Sequence, residues 1–196
     1  MRDPFNILVA GVGGQGNLVC GRVLADASVK SGLRPVVGDT FGASRRGGSV
    51  LTHLRIGKKD WAPLIPMGEV DIILGLEPLE TLRAASKFAG QRTIAIVSQT
   101  KIPTVASSTE SAEYPPLEQI IKSLKDVCKQ VIVFDAEDAL TKIGSMKMLN
   151  SYILGTMTSA IDSPISHDVI RESLVSLYGS DSENILAFDT GAKAVS

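Results

Sequence analysis

Apolar positions along the chain fall into two patterns, short unbroken runs and stripes at helical spacing. Phe5, Ile7, Leu8, Val9 and Ala10 form a run that predicts a strand over 5–10, buried on both faces. From residue 17 to about 30, Leu18, Val19, Val23, Leu24 and Ala27 recur with the period of a helix. Lys30 suits its last turn and Gly32 its C′ position. A second strand is expected over 34–38. Strand, glycine turn, helix and strand then make a βαβ unit, for which chirality prescribes a right-handed crossover.

Residues 40–48 read as a loop rich in Gly, Ser and Arg. Over 49–56 the pattern alternates: Val50, Thr52, Leu54 and Ile56 share one face, Leu51, His53 and Arg55 the other. That predicts a half-buried strand with His53 on its more polar face, followed by a turn over 57–60. Buried strands are expected over 70–76, 93–97 and 131–134. Between them lie a helix with Glu77 at its N-cap and Pro78 at N1, a polar loop over 105–116, and a helix from 116 or 117 to about 125. Asp135 caps a helix reaching residue 143. Beyond Gly144 the signals are all helical: an almost uncharged apolar helix over 148–160, an amphipathic one capped by Ser166, and a short one capped by Ser182. The expected fold is α/β: a three-layer Rossmann-like open sheet, mostly parallel, with C-terminal helices.

Composition narrows the class. A chain of 196 residues with 44% hydrophobic and 21% charged residues reads as a single globular domain over 1–196. Lys plus Arg number 20 against 21 Asp plus Glu, a balance that argues against nucleic acid as a partner. Only two cysteines are present, so neither a disulfide framework nor a four-thiolate iron–sulfur site is expected, and the cytoplasm is the expected compartment. No apolar run approaches the ~18 residues of a membrane span, and Asp3 and Pro4 break any signal-peptide pattern.

Gly11, Gly13 and Gly16 form a Gly-x-Gly-x-x-Gly pattern that closes a strand and opens a helix. In that context the glycines allow a tight turn, close approach of a pyrophosphate and tight helix–strand packing, while the helix N-terminus attracts an anion. Gly14, Gln15 and Asn17 complete the loop, and Asp39 stands where a ribose-binding acid would follow. The same glycines would equally serve a tight connection with no ligand. Ser44, Arg45, Arg46, Gly47 and Gly48 form a second constellation, in which two guanidiniums beside a Gly-Gly backbone suit phosphate or carboxylate; a solvated basic turn has the same composition. Cys20 reads as a buried structural thiol, and His53 and His167 lack a motif-quality partner. No metal-ligand spacing occurs and no catalytic set is complete.

Taken together, Gly11-Val12-Gly13-Gly14-Gln15-Gly16-Asn17 and Arg46-Gly47-Gly48-Ser49-Val50 resemble the gamma domain of the 2-oxoacid:ferredoxin oxidoreductases, and within that family its indolepyruvate branch. The likeness continues through Gly68-Glu69-Val70-Asp71, Glu77-Pro78-Leu79-Glu80, Asn150 to Gly155 and Asn184 to Asp189. The family segment before Arg-Gly-Gly usually reads Glu-x-His-Gly-x-x-Gln; here Phe41 stands for the His and Arg45 for the Gln. The resemblance implies oxidative decarboxylation of a 2-oxoacid with coenzyme A as cosubstrate and ferredoxin as electron acceptor. It implies no cofactor held firmly by this chain, with thiamine diphosphate and [4Fe-4S] clusters on a partner alpha subunit. It also places Gly11, Gly13, Gly14, Gln15, Gly16, Asn17, Ser44, Arg45, Arg46, Gly47 and Gly48 on a surface facing coenzyme A. Two other readings stand beside it: a self-contained NAD(P)-dependent dehydrogenase and an interaction module without a ligand.

Overall fold

The structure is a computed structural model, and it describes residues 2–42, 47–102 and 114–194. Six strands form one sheet: β1 (Phe5–Val12), β2 (Arg34–Phe41), β3 (Ser49–Gly57), β4 (Ile72–Gly75), β5 (Ile94–Ser98) and β6 (Gln130–Phe134). Their order is β2-β3-β1-β4-β5-β6. β1, β4, β5 and β6 pair in parallel, whereas β3 runs antiparallel to both of its neighbours, β1 and β2. β1 and β2 therefore run in the same direction, as a βαβ crossover requires, but β3 lies between them. The predicted βαβ unit is split by a strand that returns through the arginine loop.

Alternation along each strand divides the core. Ile7, Val9, Leu54, Ile56, Ile72, Leu74 and Ile96 pack on one face with α1 (Asn17–Lys30), α5 (Leu149–Ala160), α6 (His167–Tyr178) and α7 (Glu183–Gly191). Leu8, Ala10, Ile73, Ala95 and Val97 pack on the other with α2 (Pro78–Phe88) and α3 (Leu117–Val127). This gives three layers, and α4 (Glu137–Ile143) with a 3₁₀ turn over Met146–Met148 connects β6 to α5.

α5 is buried along Leu149–Met157 because α7 lies directly against it. A Cβ on Gly155 would collide with the Phe188 carbonyl oxygen, and one on Gly191 with the Tyr152 carbonyl oxygen. Two glycines thus let the helix backbones meet, which explains an apolar helix carrying almost no charge.

The alternating pattern of β3 does not produce a half-buried strand. Val50 and every residue from Thr52 to Gly57 are buried, because residues 61–65 cross the second face. Arg55 is buried there, its Nε donating to Asn6 Oδ1 at 3.1 Å and its Nη1 to the Ala62 carbonyl at 3.1 Å. His53, expected on a polar face, is buried edge-on against Phe88, with ring centroids 5.2 Å apart. At two predicted caps the detail also differs. Asp135 Oδ1 accepts from Glu137 N at 2.9 Å while Ala136 occupies the N-cap, and Ser166 sits at the α6 N-cap without a side-chain bond.

Candidate functional site

β1 and β4 are neighbours and parallel, yet α1 leaves toward one face and α2 toward the other. Their carboxyl ends therefore border a topological switch point, where open α/β sheets hold ligands. The glycine loop forms one wall. Gly16 is the N-cap of α1 at φ 91, a left-handed conformation that glycine adopts without a Cβ penalty. A side chain there would also run into Asn150, whose Nδ2 lies 2.7 Å from the position of a Cβ.

The loop is braced from within. Val12 N donates to Gln15 Oε1 at 2.7 Å, and Gln15 Nε2 donates to the Leu76 carbonyl at 2.8 Å, so one carboxamide ties the end of β1 to the end of β4. Gly13 N donates to the Gly48 carbonyl at 2.9 Å, which brings the two sequence motifs together at this rim. Asn17 Nδ2 donates to the Val50 carbonyl at 3.0 Å, and its buried Oδ1 has no hydrogen-bond partner among the described residues. α1 carries no side-chain cap and no acidic residue in its first turn. Its leading N–H groups, added to the dipole, make this end receptive to an anion.

Glu77 forms the opposite wall. It is the N-cap of α2, accepting from Glu80 N at 2.8 Å through Oε2 and from the Tyr114 hydroxyl at 2.5 Å through Oε1. Burial raises its carboxyl above the usual range, against the opposing pull of the Tyr114 and Glu80 hydrogen bonds. Glu80 is buried beside it and receives Arg83 Nη1 at 2.5 Å.

Of the residues expected at the site, Gly11, Gly13, Gly14, Gln15, Gly16, Asn17, Gly47 and Gly48 gather at this rim. Ser44, Arg45 and Arg46 lie outside the described residues. Asp39 stands apart, two strands and roughly 10 Å across the sheet from β1. Its Oδ1 accepts from Thr52 Oγ1 at 2.5 Å. The thiols are remote from one another, on opposite sheet faces. Burial pushes Cys20 up to about 12 and Cys128 up to about 11, which keeps both protonated. Sequence reasoning missed Asn150, which backs the loop, and Tyr114, which closes on Glu77. The available signal for Asn150 was one amide in an otherwise apolar helix.

An open α/β sheet with a glycine loop at its switch point defines a Rossmann-like domain. The profile of the pyruvate ferredoxin/flavodoxin oxidoreductase family matches residues 6–194, and the chain belongs to that family. It is 38% identical over 170 residues to "Indolepyruvate oxidoreductase subunit IorB" of Archaeoglobus fulgidus, covering 87% of this chain and 84% of the relative. The Pyrococcus horikoshii protein of the same name is 32% identical, covering 97% of this chain and 95% of the relative. Among solved structures, the pyruvate oxidoreductase subunit PORC of Thermotoga maritima superposes with a TM-score of 0.69 at 20% identity, covering 98% and 97% of the two chains. A 2-oxoglutarate:ferredoxin oxidoreductase from Magnetococcus marinus, solved with 2-oxoglutarate, coenzyme A and succinyl-CoA bound, superposes at 0.68 and 18% identity. There the match covers 98% of this chain but 31% of the longer one.

Proposed function

We propose that this chain is the non-redox subunit of an indolepyruvate-type 2-oxoacid:ferredoxin oxidoreductase and that its glycine-loop rim faces the phosphates of coenzyme A. In the complete reaction an arylpyruvate, coenzyme A and oxidised ferredoxin give an arylacetyl-CoA, CO2 and reduced ferredoxin. Thiamine diphosphate, in this reading carried with the [4Fe-4S] clusters by the partner alpha subunit, supplies the decarboxylation chemistry. This chain's residues bind and orient the cosubstrate. The observation that carries the reading is the uncapped, acid-free N-terminus of α1, set behind a left-handed Gly16 at the switch point. Two protonated, mutually distant thiols suit a subunit that passes no electrons. The names of the relatives support the indolepyruvate assignment, and the coenzyme A bound in a fold neighbour supports the cosubstrate.

A dehydrogenase using NAD is less well supported, because β3 stands between the glycine-loop strand and Asp39. Steady-state kinetics of the assembled enzyme test the proposal. Gly13→Val blocks backbone approach to the rim and should raise the KM for coenzyme A more than the KM for the 2-oxoacid. Arg46→Ala should do the same by about tenfold or more, the effect of losing a charge-assisted contact, and Arg46→Lys should recover only part of it. Unchanged coenzyme A kinetics in all three variants would remove the rim from the site.

A further inference from the structure

The two edges of the sheet differ in how they are protected. β6 is five residues long, opens on Gln130 and follows directly on Lys129. β2 is eight residues long and carries no lysine. Its Arg34, Pro35 and Asp39 restrict what can pair with it, while its unpaired main-chain groups remain a template for another strand.

The β2–β3 ladder fixes which backbone groups of β2 point outward. Gly42 N donates to the Ser49 carbonyl at 2.8 Å, so that pair exchanges hydrogen bonds across the ladder. Pairs alternate along an antiparallel ladder, so Thr40, Gly38 and Val36 turn their main-chain groups inward to β3. Val37, Asp39 and Phe41 turn theirs outward. Pro35, which has no N–H, also falls on an outward position, where the missing donor disturbs no ladder bond.

The side chains of the outward residues share the α1 face. Val37 lies there beside Gly21 and Thr52, and alternation places Asp39 and Phe41 with it. Val37 is 38% exposed and Phe41 49%, and Asp39 is exposed between them. Leu18, in the first turn of α1 on the same face, is 49% exposed. The edge therefore presents backbone donors and acceptors together with an apolar–acidic–apolar row of side chains.

We infer that β2 is a docking edge for an extended segment of the partner subunit, whose strand adds to this sheet with a Lys or Arg opposite Asp39 and apolar residues opposite Val37 and Phe41. A second copy of this chain fits poorly. The antiparallel register that sets Val37 against Phe41 of the copy also sets Asp39 against Asp39, and like charges directly opposite are destabilising. Docking here would place the partner alongside the glycine-loop rim, since β2 ends on the Gly42–Ser49 closure and Gly48 carries the Gly13 bond. The inference rests on the reading that the chain is one subunit of a complex.

Association with the partner subunit, followed by sedimentation velocity and by surface binding kinetics, tests it. Val37→Pro removes an outward N–H and leaves the ladder to β3 intact. Asp39→Lys inverts the charge at an exposed position. Each should weaken association by about tenfold or more while the circular dichroism of the isolated chain stays that of the wild type. Should Val37→Pro disturb folding, Asp39→Lys and the salt dependence of wild-type association carry the test. A photo-crosslinker at position 37 should capture one partner peptide with alternating apolar and basic residues. Wild-type affinity in Asp39→Lys, or cross-links scattered over the partner, would overturn the docking edge while leaving the subunit reading intact. A wild-type chain that never associates with the partner would sink the subunit reading itself. An isolated chain that dimerises through β2, with both variants monomeric, would make the occupant a second copy and contradict the inference.

Discussion

Gln15 reaches across the switch point to the Leu76 carbonyl, donating Nε2 at 2.8 Å, while its Oε1 holds Val12 N at 2.7 Å. The glycine loop is thus no flexible flap. It is fastened to the end of β4, one residue before the buried Glu77 that caps α2.

Replacing that brace should be measurable in stability. Gln15→Leu leaves the Val12 donor and the Leu76 acceptor without partners, a loss of about 1–3 kcal/mol. Thermal unfolding should register this as a fall in Tm of about 3–10 °C. Gln15→Glu keeps an acceptor for Val12 but turns a carboxylate oxygen toward the Leu76 carbonyl. Its defect should exceed that of Gln15→Leu at neutral pH and shrink on acidification. Equal Tm values for all three proteins would show that the brace contributes nothing.

The α5–α7 contact gives a second test. Gly155→Ala drives a methyl group into the Phe188 carbonyl and should lower stability by about 1–3 kcal/mol in urea titration. Gly14→Ala meets no atom within 4 Å, though its φ of 108 is strained for alanine, so its loss should be the smaller. The reverse ranking would contradict close contact between the α5 and α7 backbones.

His53 supplies a pH dependence. Burial lowers its pKa, with Asp39 opposing and Lys87 adding to the shift. Ile65 N donates to its Nδ1 at 3.3 Å, so the neutral ring carries its proton on Nε2. Below the unfolded value of about 6.5 the unfolded chain takes up a proton that the folded chain resists. His53 therefore contributes stability that is present above that pH and lost as pH falls toward its lowered folded value. The difference in unfolding free energy between wild type and His53→Gln should shrink as pH falls from 7 through that window. A difference independent of pH would show that His53 titrates freely.

Local features were legible in the sequence and non-local ones were not. The β1–α1 turn could be read because Gly11, Gly13 and Gly16 encode it within a few residues, and Glu77-Pro78 marked the start of α2 for the same reason. The insertion of β3 between β1 and β2 left no local trace, since pairing order depends on where the arginine loop returns. His53 and Arg55 looked like a polar face because alternation records only the residues of the strand. Their cover comes from 61–65, an irregular stretch of Trp, Pro and Leu with no periodicity to read. Asn150 acquires its place against Gly16 only once α5 is packed, about 130 residues away along the chain.

The central claim is that this chain binds and orients within a complex whose electron transfer lies elsewhere. Viologen reduction with indolepyruvate and coenzyme A tests it most directly, measured for the purified chain, for the thiamine- and cluster-bearing partner, and for their mixture. The account predicts no reduction by this chain alone and turnover when the two are combined, with a saturable dependence on coenzyme A. Reduction by the isolated chain would contradict it.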